Sequence, residues 1–341
     1  MTLLRRVAIA ALALFTLVAC APPASVTTDD TPLVWPPEPA PPRLAFVRAF
    51  SRPDDLGISR SFLQKLADVL FGGSQARLIR PMAVVVAGKA LFVADPGAKG
   101  VHRLDPAEGR YDLIRAEGGV PLSSPVALAR GADGDIYVSD SAQGRVYVLR
   151  PGAKAEAPLV LGAPLRQPTG IAYDPVARRL IVVDTAAHQI HFFNADGSLA
   201  ASIGRRGSGD GEFNFPTLLW RASDGRLYVT DSLNFRIQIL DPQGAFLSKF
   251  GKAGDASGDL ARQKGVATDR HGHVYVVDSL FNALQVFDPT GRFLLSVGDL
   301  GTERGEFWLP TGIFITEDDT IYIADSYNRR VQVLRYIGGP G

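Results

Sequence analysis

The chain has 341 residues, with Lys+Arg 36, Asp+Glu 35, five His and one Cys. A hydrophobic fraction of 46% with 21% charged residues is that of a globular chain and excludes disorder throughout, while a net charge of +1 argues against a dedicated nucleic-acid binder. A lone Cys excludes an internal disulfide and Cys-rich zinc modules, and Gly 35 with Pro 24 suits a chain of many turns.

At the N-terminus, Arg5 and Arg6 precede an apolar stretch, Val7 to Ala19, broken only by Thr16. It is too short to cross a bilayer core, which needs about 20 residues. A charged start, a short apolar run and small residues at its end predict a secretory signal over 1–19. The run ends Leu17-Val18-Ala19-Cys20, which resembles the lipobox of bacterial lipoproteins. That resemblance implies export, a lipid on the Cys20 thiol and a membrane anchor in the cell envelope. Ala21 after the Cys favours the outer membrane if the source is Gram-negative. Residues 20–42 are Pro-rich and predict an extended tether. A proline-motif ligand for a partner groove is the alternative for that segment.

Residues 43–50, Arg-Leu-Ala-Phe-Val-Arg-Ala-Phe, read as a strand standing alone before any repeat. In 59–73, Phe62, Leu63, Leu66, Val69 and Leu70 fall on one helical face, with Ser61 and Gln64 as a capping box and Gly72-Gly73 as a stop. This predicts a short helix before the first repeat, either packed on the domain, plugging a channel mouth or docking a partner.

From there the chain is one unit written six times. Short apolar strands end at Asp95, Asp140, Asp184, Asp231, Asp278 and Asp325. Upstream of each lies a short strand opened by Pro or its equivalent, as in Pro168-Thr169-Gly170. Downstream comes an alternating strand, as in Arg236-Ile237-Gln238-Ile239-Leu240, then a turn and a fourth strand. Asp133-Gly134, Asp196-Gly197 and Asp224-Gly225 supply the positive φ that hairpin turns demand. Four-stranded antiparallel units at this period predict an all-β fold, a six-bladed β-propeller over 43–341; an open solenoid is the competing repeat architecture. The sixth unit lacks its fourth strand. The strand at 43–50 is the spare one, and it is expected to complete that blade and close the ring.

The stretch Asp231-Ser232-Leu233-Asn234-Phe235-Arg236-Ile237-Gln238 returns as Asp325-Ser326-Tyr327-Asn328-Arg329-Arg330-Val331-Gln332. With the lead-ins Gly211-Glu212-Phe213 and Gly305-Glu306-Phe307, it resembles the NHL repeat, whose members of this kind form six-bladed propellers. The match is strong in repeats four and six and weaker elsewhere.

Propellers commonly bind ligands at a channel mouth, and the repeat nominates two rings of positions there. One follows the Pro: Met82, Val126, Thr169, Thr217, Lys264 and Thr311. The other lies four residues after each repeat Asp: Lys99, Gly144, His188, Phe235, Asn282 and Arg329. The repeat Asp residues themselves read as structural, bonding loop amides. The segment Asp184–Ile190 resembles a zinc-ligand segment of the peptidylglycine amidating lyases, which implies His188 as a ligand. That class uses three His, and neither ring holds another. Gluconolactonase-like propellers need carboxylates around a cation, and neither ring holds an Asp or Glu. His271 and His273 fall at a hairpin turn. No cofactor is expected. The expectation is a lipid-anchored binding or scaffold propeller that presents its channel mouth to an envelope protein, peptide or glycan, without a nucleic-acid partner. A metal-dependent envelope lyase or lactonase is the alternative, and a structural partner in a larger assembly a third reading.

Overall fold

The computed structural model describes residues 32–58, 76–115, 121–150 and 158–338. The expected signal 1–19, Cys20 and the helix expected over 59–73 lie outside these residues. The rest is a six-bladed β-propeller of antiparallel blades. Blade three is representative. Its strands, Pro168–Asp174, Arg179–Asp184, Gln189–Asn194 and Leu199–Ile203, pair in that order from the channel outward. The same order holds in blade one (83–114), blade four (216–250) and blade five (263–297). In blade two, among the described residues, three strands are followed by Pro158, which takes the fourth place through a single bridge to Tyr147. First strands of successive blades touch one another all the way round, blade six against blade one included.

Burial follows from this stacking. A middle strand has a blade on each side, so Val274–Asp278 and Ala283–Phe287 are buried at every position. The outermost strand has water on its rim, and Phe246–Phe250 is mostly exposed. Turn chemistry is as the dipeptides require: Asp133 and Gly134 both take positive φ, 54° and 83°. The Pro-Thr-Gly openings also have a steric reason. At Gly312 a Cβ would lie 2.5 Å from the Met82 carbonyl oxygen of the next blade, so only Gly lets the two inner strands approach.

Closure is as expected. Leu44–Phe50 pairs antiparallel with Arg330–Tyr336, with Phe46 opposite Leu334 and Phe50 opposite Val331. Blade six thus draws its inner three strands from one end of the chain and its outer strand from the other. The Pro-rich segment, expected to be tether as far as 42, is structured at its end. Val34–Trp35 forms a fifth strand against Leu44 and Ala45, and the Trp35 carbonyl accepts the Arg43 N–H at 2.6 Å.

The register defines two faces. Pro168 pairs with Asp184, and Asp184 with Gln189, so the starts of inner strands and the loops after each repeat Asp share one face. This is called here the aspartate face. Asp174, Arg179 and Asn194 pair at the opposite end, the hairpin face.

Phe50 is 1% exposed and belongs to the core cluster that includes Leu78, Val84 and Val93 of the blade-one region, so it bridges the closing strand to the start of the ring. Phe50→Ala is expected to lower unfolding stability by about 3–5 kcal/mol, read from the urea midpoint with the slope of the transition unchanged.

Candidate functional site

The six repeat Asp side chains are all buried and do one job. Each accepts N–H groups from the connection entering its own blade, and most also bond the loop that follows the Asp. Asp95 accepts Ile79 at 2.7 Å, Arg80 at 3.0 Å and Ala98 at 3.0 Å. Asp184 accepts Arg166, Gln167 and Ala187, and Asp278 accepts Ala261, Arg262 and Leu280. Burial opposes ionisation of Asp95, but hydrogen bonds from His102 and these amides outweigh it and hold its pKa below the ordinary value. At Asp325 burial wins and pushes the carboxyl up.

The residues that carry the NHL resemblance hold the long connections down. In blade four the Arg236 guanidinium donates to Asp231 at 2.7 Å and to the carbonyls of Ser208, Gly209 and Glu212. Asn234 donates to Gly207 O, and Gln238 to Glu212 O. Arg330, Asn328 and Gln332 repeat this in blade six. The Gly-rich run 204–209 is therefore a pinned loop.

The nominated positions all lie on the aspartate face, and most are spent on architecture. The Thr169 hydroxyl donates to Thr217 O of the next blade at 2.6 Å and meets Thr185 Oγ1 at 2.7 Å. Thr217 pairs with Ser232 at 2.8 Å. Thr311 donates to Met82 O at 3.0 Å, which joins blade six to blade one. Ser139 and Thr230, each just before its repeat Asp, donate to Thr169 O and Lys264 O of the next blade, and Thr185 and Ser279, each just after it, donate to Pro216 O and Pro310 O. Lys264 is half-buried, and burial, aided by the neighbouring Arg262 charge, lowers its pKa. Lys99, Phe235 and Arg329 sit at left-handed turn positions; Lys99 and Arg329 are exposed and Phe235 half-buried.

His188 has a plain partner. Its Nδ1 accepts the Phe215 N–H at 3.1 Å, with the Phe215 ring edge-on at 4.5 Å. Asn282, two blades on, accepts the Leu309 N–H at 2.9 Å through Oδ1. The two residues are equivalents, each fixing the residue before a conserved-in-place Pro of the repeat. Among the described residues no cluster of three His, Cys, Asp or Glu side chains is placed to hold a metal ion. His271 and His273 do lie at a hairpin turn. His273 Nδ1 is 2.7 Å from Asp269, and that hydrogen bond raises the His273 pKa.

The cavity opens on the other face. About 610 Å³ of space lies at the hairpin mouth, bounded by the ends of all six inner strands. Its lining combines aromatic rings and arginines with the carboxylates Asp135, Asp269 and Glu317, the last 4.0 Å from Arg130. Trp220 meets Phe314 edge to face at 5.7 Å and donates from Nε1 to Thr268. The Arg130 guanidinium stands 5.3 Å over the Phe314 ring. Tyr173 and Arg221 complete the wall, Arg221 being held by Asp174 at 3.1 Å. A second depression of about 700 Å³ runs between blades six and one, lined by Arg48, Lys89, Tyr322 and Arg335. The two share Gly88, Arg130, Thr316 and Glu317, so the groove adjoins the mouth. Counting along the repeats points to positions common to every blade. These lining residues differ from blade to blade, and their signal was the large side chains at inner-strand ends.

Comparison with known proteins agrees with the architecture. The family model DUF5128, a 6-bladed beta-propeller, matches residues 266–336. No curated protein matches the chain. Among solved structures, an auxiliary nutrient binding protein from Bacteroides thetaiotaomicron VPI-5482 is similar at 12% identity and a TM-score of 0.61, covering 77% of this chain and 70% of that one. One from Bacteroides ovatus ATCC 8483 is similar at 14% identity and 0.59, covering 77% and 71%. A streptogramin B lyase is similar at 15% identity and 0.57, covering 76% and 94%. At such identities the likeness is one of fold.

A structural role for His188 has a direct consequence. His188→Asn keeps an acceptor, as at Asn282, and is expected to change stability by less than about 1 kcal/mol. His188→Ala strands the Phe215 N–H and is expected to cost about 1–3 kcal/mol, measured by denaturant unfolding.

Proposed function

We propose that the chain is a lipid-anchored binding protein of the bacterial envelope, built of NHL-type repeats, that receives an extended peptide or glycan segment at its hairpin mouth. The observation that carries the reading is that the channel cavity adjoins the groove between blades six and one, four residues lining both. A compact ligand needs only a pocket, whereas a pocket that adjoins a groove suits a ligand that continues past it. Half-buried Trp220 offers an apolar surface for a sugar or aromatic ring, and Arg130, over the buried Phe314 ring, a cation beside it. The fold shared with auxiliary nutrient binding proteins is in keeping with this role. The anchor rests on the sequence ending at Cys20, and no nucleic-acid partner belongs to the reading.

The alternative is a metal-dependent lyase or lactonase on the same propeller, which the likeness to streptogramin B lyase favours. Stoichiometric zinc or calcium in the purified protein, lost on His188→Ala, would move the balance to it.

Two tests address the binding reading. Soluble peptidoglycan fragments, which present both sugar rings and peptide, are expected to quench Trp220 fluorescence. Trp220→Ala and Arg130→Ala should each weaken binding about tenfold or more in calorimetry; no binding by fragments or by an unstructured peptide library would remove the reading. Separately, Cys20→Ala is expected to abolish incorporation of labelled fatty acid and to leave an unprocessed or soluble chain. Normal maturation and membrane partition of that variant would end the anchor assignment.

A further inference from the structure

The aspartate face has an asymmetry that neither the ring architecture nor the proposed binding mouth explains. Two residues after each repeat Asp, the loop tip is Gly97, Ala142 and Ala186 in blades one to three. In blades four to six the same position is Leu233, Leu280 and Tyr327, which are 52%, 58% and 52% exposed. Trp308 and Leu300, on the connection into blade six, are also exposed, and Trp308 lies 5.7 Å from the Tyr327 ring. These tips are held by backbone bonds, Leu233 N–H to Asn214 O at 3.0 Å and Tyr327 N–H to Trp308 O at 3.1 Å. Presented rigidly, they lose little freedom on meeting a surface.

We infer that this half of the aspartate face is a docking surface for a lipid bilayer, with Leu233, Leu280, Trp308 and Tyr327 entering the headgroup region. The residue types fit: Trp and Tyr settle at the interfacial depth, Leu reaches the acyl boundary, and Arg206, Arg262 and Arg329 stand exposed on the same face for anionic headgroups. Asp255, Asp299 and Glu303 are exposed there too. The apolar tips, rather than net charge, therefore supply the attraction. The path of the chain points the same way. Leu33 and Trp35 pack against Gly305, in the aspartate-face connection of blade six, where a Cβ would come within 2.5 Å of the Trp35 ring. The described chain thus begins against the connection that carries Trp308, although Trp35 itself pairs with Leu44 at the hairpin-face end of the closing strand. Docking here would leave the hairpin mouth facing away from the bilayer, open to a ligand. The inference stands apart from the identity of that ligand and from lipidation of Cys20.

The test uses the mature chain without the expected signal and carrying Cys20→Ala, so that no anchor contributes, with vesicles of phosphatidylethanolamine and phosphatidylglycerol, part of the lipid being brominated. Trp308 emission, isolated as the difference between the protein and Trp308→Phe, is expected to be quenched by the bromolipid. The combined change Leu233→Ser, Leu280→Ser, Trp308→Ser and Tyr327→Ser alters only exposed side chains and should leave the melting temperature unchanged. It should lower vesicle partition about tenfold or more. Three results would overturn the inference. They are failure of the chain to float with vesicles, flotation with Trp308 unquenched, and partition unchanged in the serine variant. Loss of a lipid-independent self-association in that variant, seen by sedimentation with no change in vesicle binding, would assign the patch to a second copy instead.

Discussion

Six buried carboxylates set the geometry of this molecule. An Asp closing each second strand would be costly to bury alone, but it meets at least one backbone N–H of the connection entering its blade, together with further loop amides or side-chain donors. The bond runs both ways: the amides keep the carboxylate in place, and the carboxylate fixes where the connection enters the blade. Before blades four and six the carboxylate is not the only clamp on its long connection. Arg236 and Arg330 then reach from the third strand to bond both the Asp and the loop carbonyls.

That division explains what was legible in the sequence. The Asp spacing and the alternating strands gave the blade number, and a final unit short of one strand pointed to the N-terminal strand as its mate. The strong repeats were those with an Arg and an Asn to hold a long loop, so weak similarity elsewhere reflected the loss of those clamps rather than absent blades: the equally long connection before blade five is held through Gln285 to Asp259 instead. The small fifth strand at Val34–Trp35 was hidden because eight prolines dominate the local composition, and two residues carry no periodicity. The candidate site was harder for a related reason. Register counting selects positions that every blade shares, and shared positions serve the shared architecture. Thr169, Thr311, His188 and Asn282 are examples. The cavity is lined instead where blades differ, at Arg130, Tyr173, Trp220 and Phe314.

The two faces accordingly have different characters. One collects the loop-fixing carboxylates, the blade-to-blade hydroxyl bonds and a set of rigid apolar tips confined to three blades. The other collects the open ends of the inner strands and the groove between blades six and one. A ring of sheets keeps these surfaces a fixed distance apart. Changes at one then need not disturb the other, which is how a common scaffold carries unrelated sites.

Blade six, assembled from both termini, also imposes an order of events. Blades one to five need only neighbouring sequence, but Leu44–Phe50 must wait for a mate nearly the whole chain later, at Arg330–Tyr336. Until the last residues arrive, that early strand and the inner edge of blade one have no cover, which makes the nascent molecule vulnerable to mispairing. A chain cut short at its C-terminus would lose its seam as well as a blade, leaving a product suited to proteolytic removal rather than to partial service.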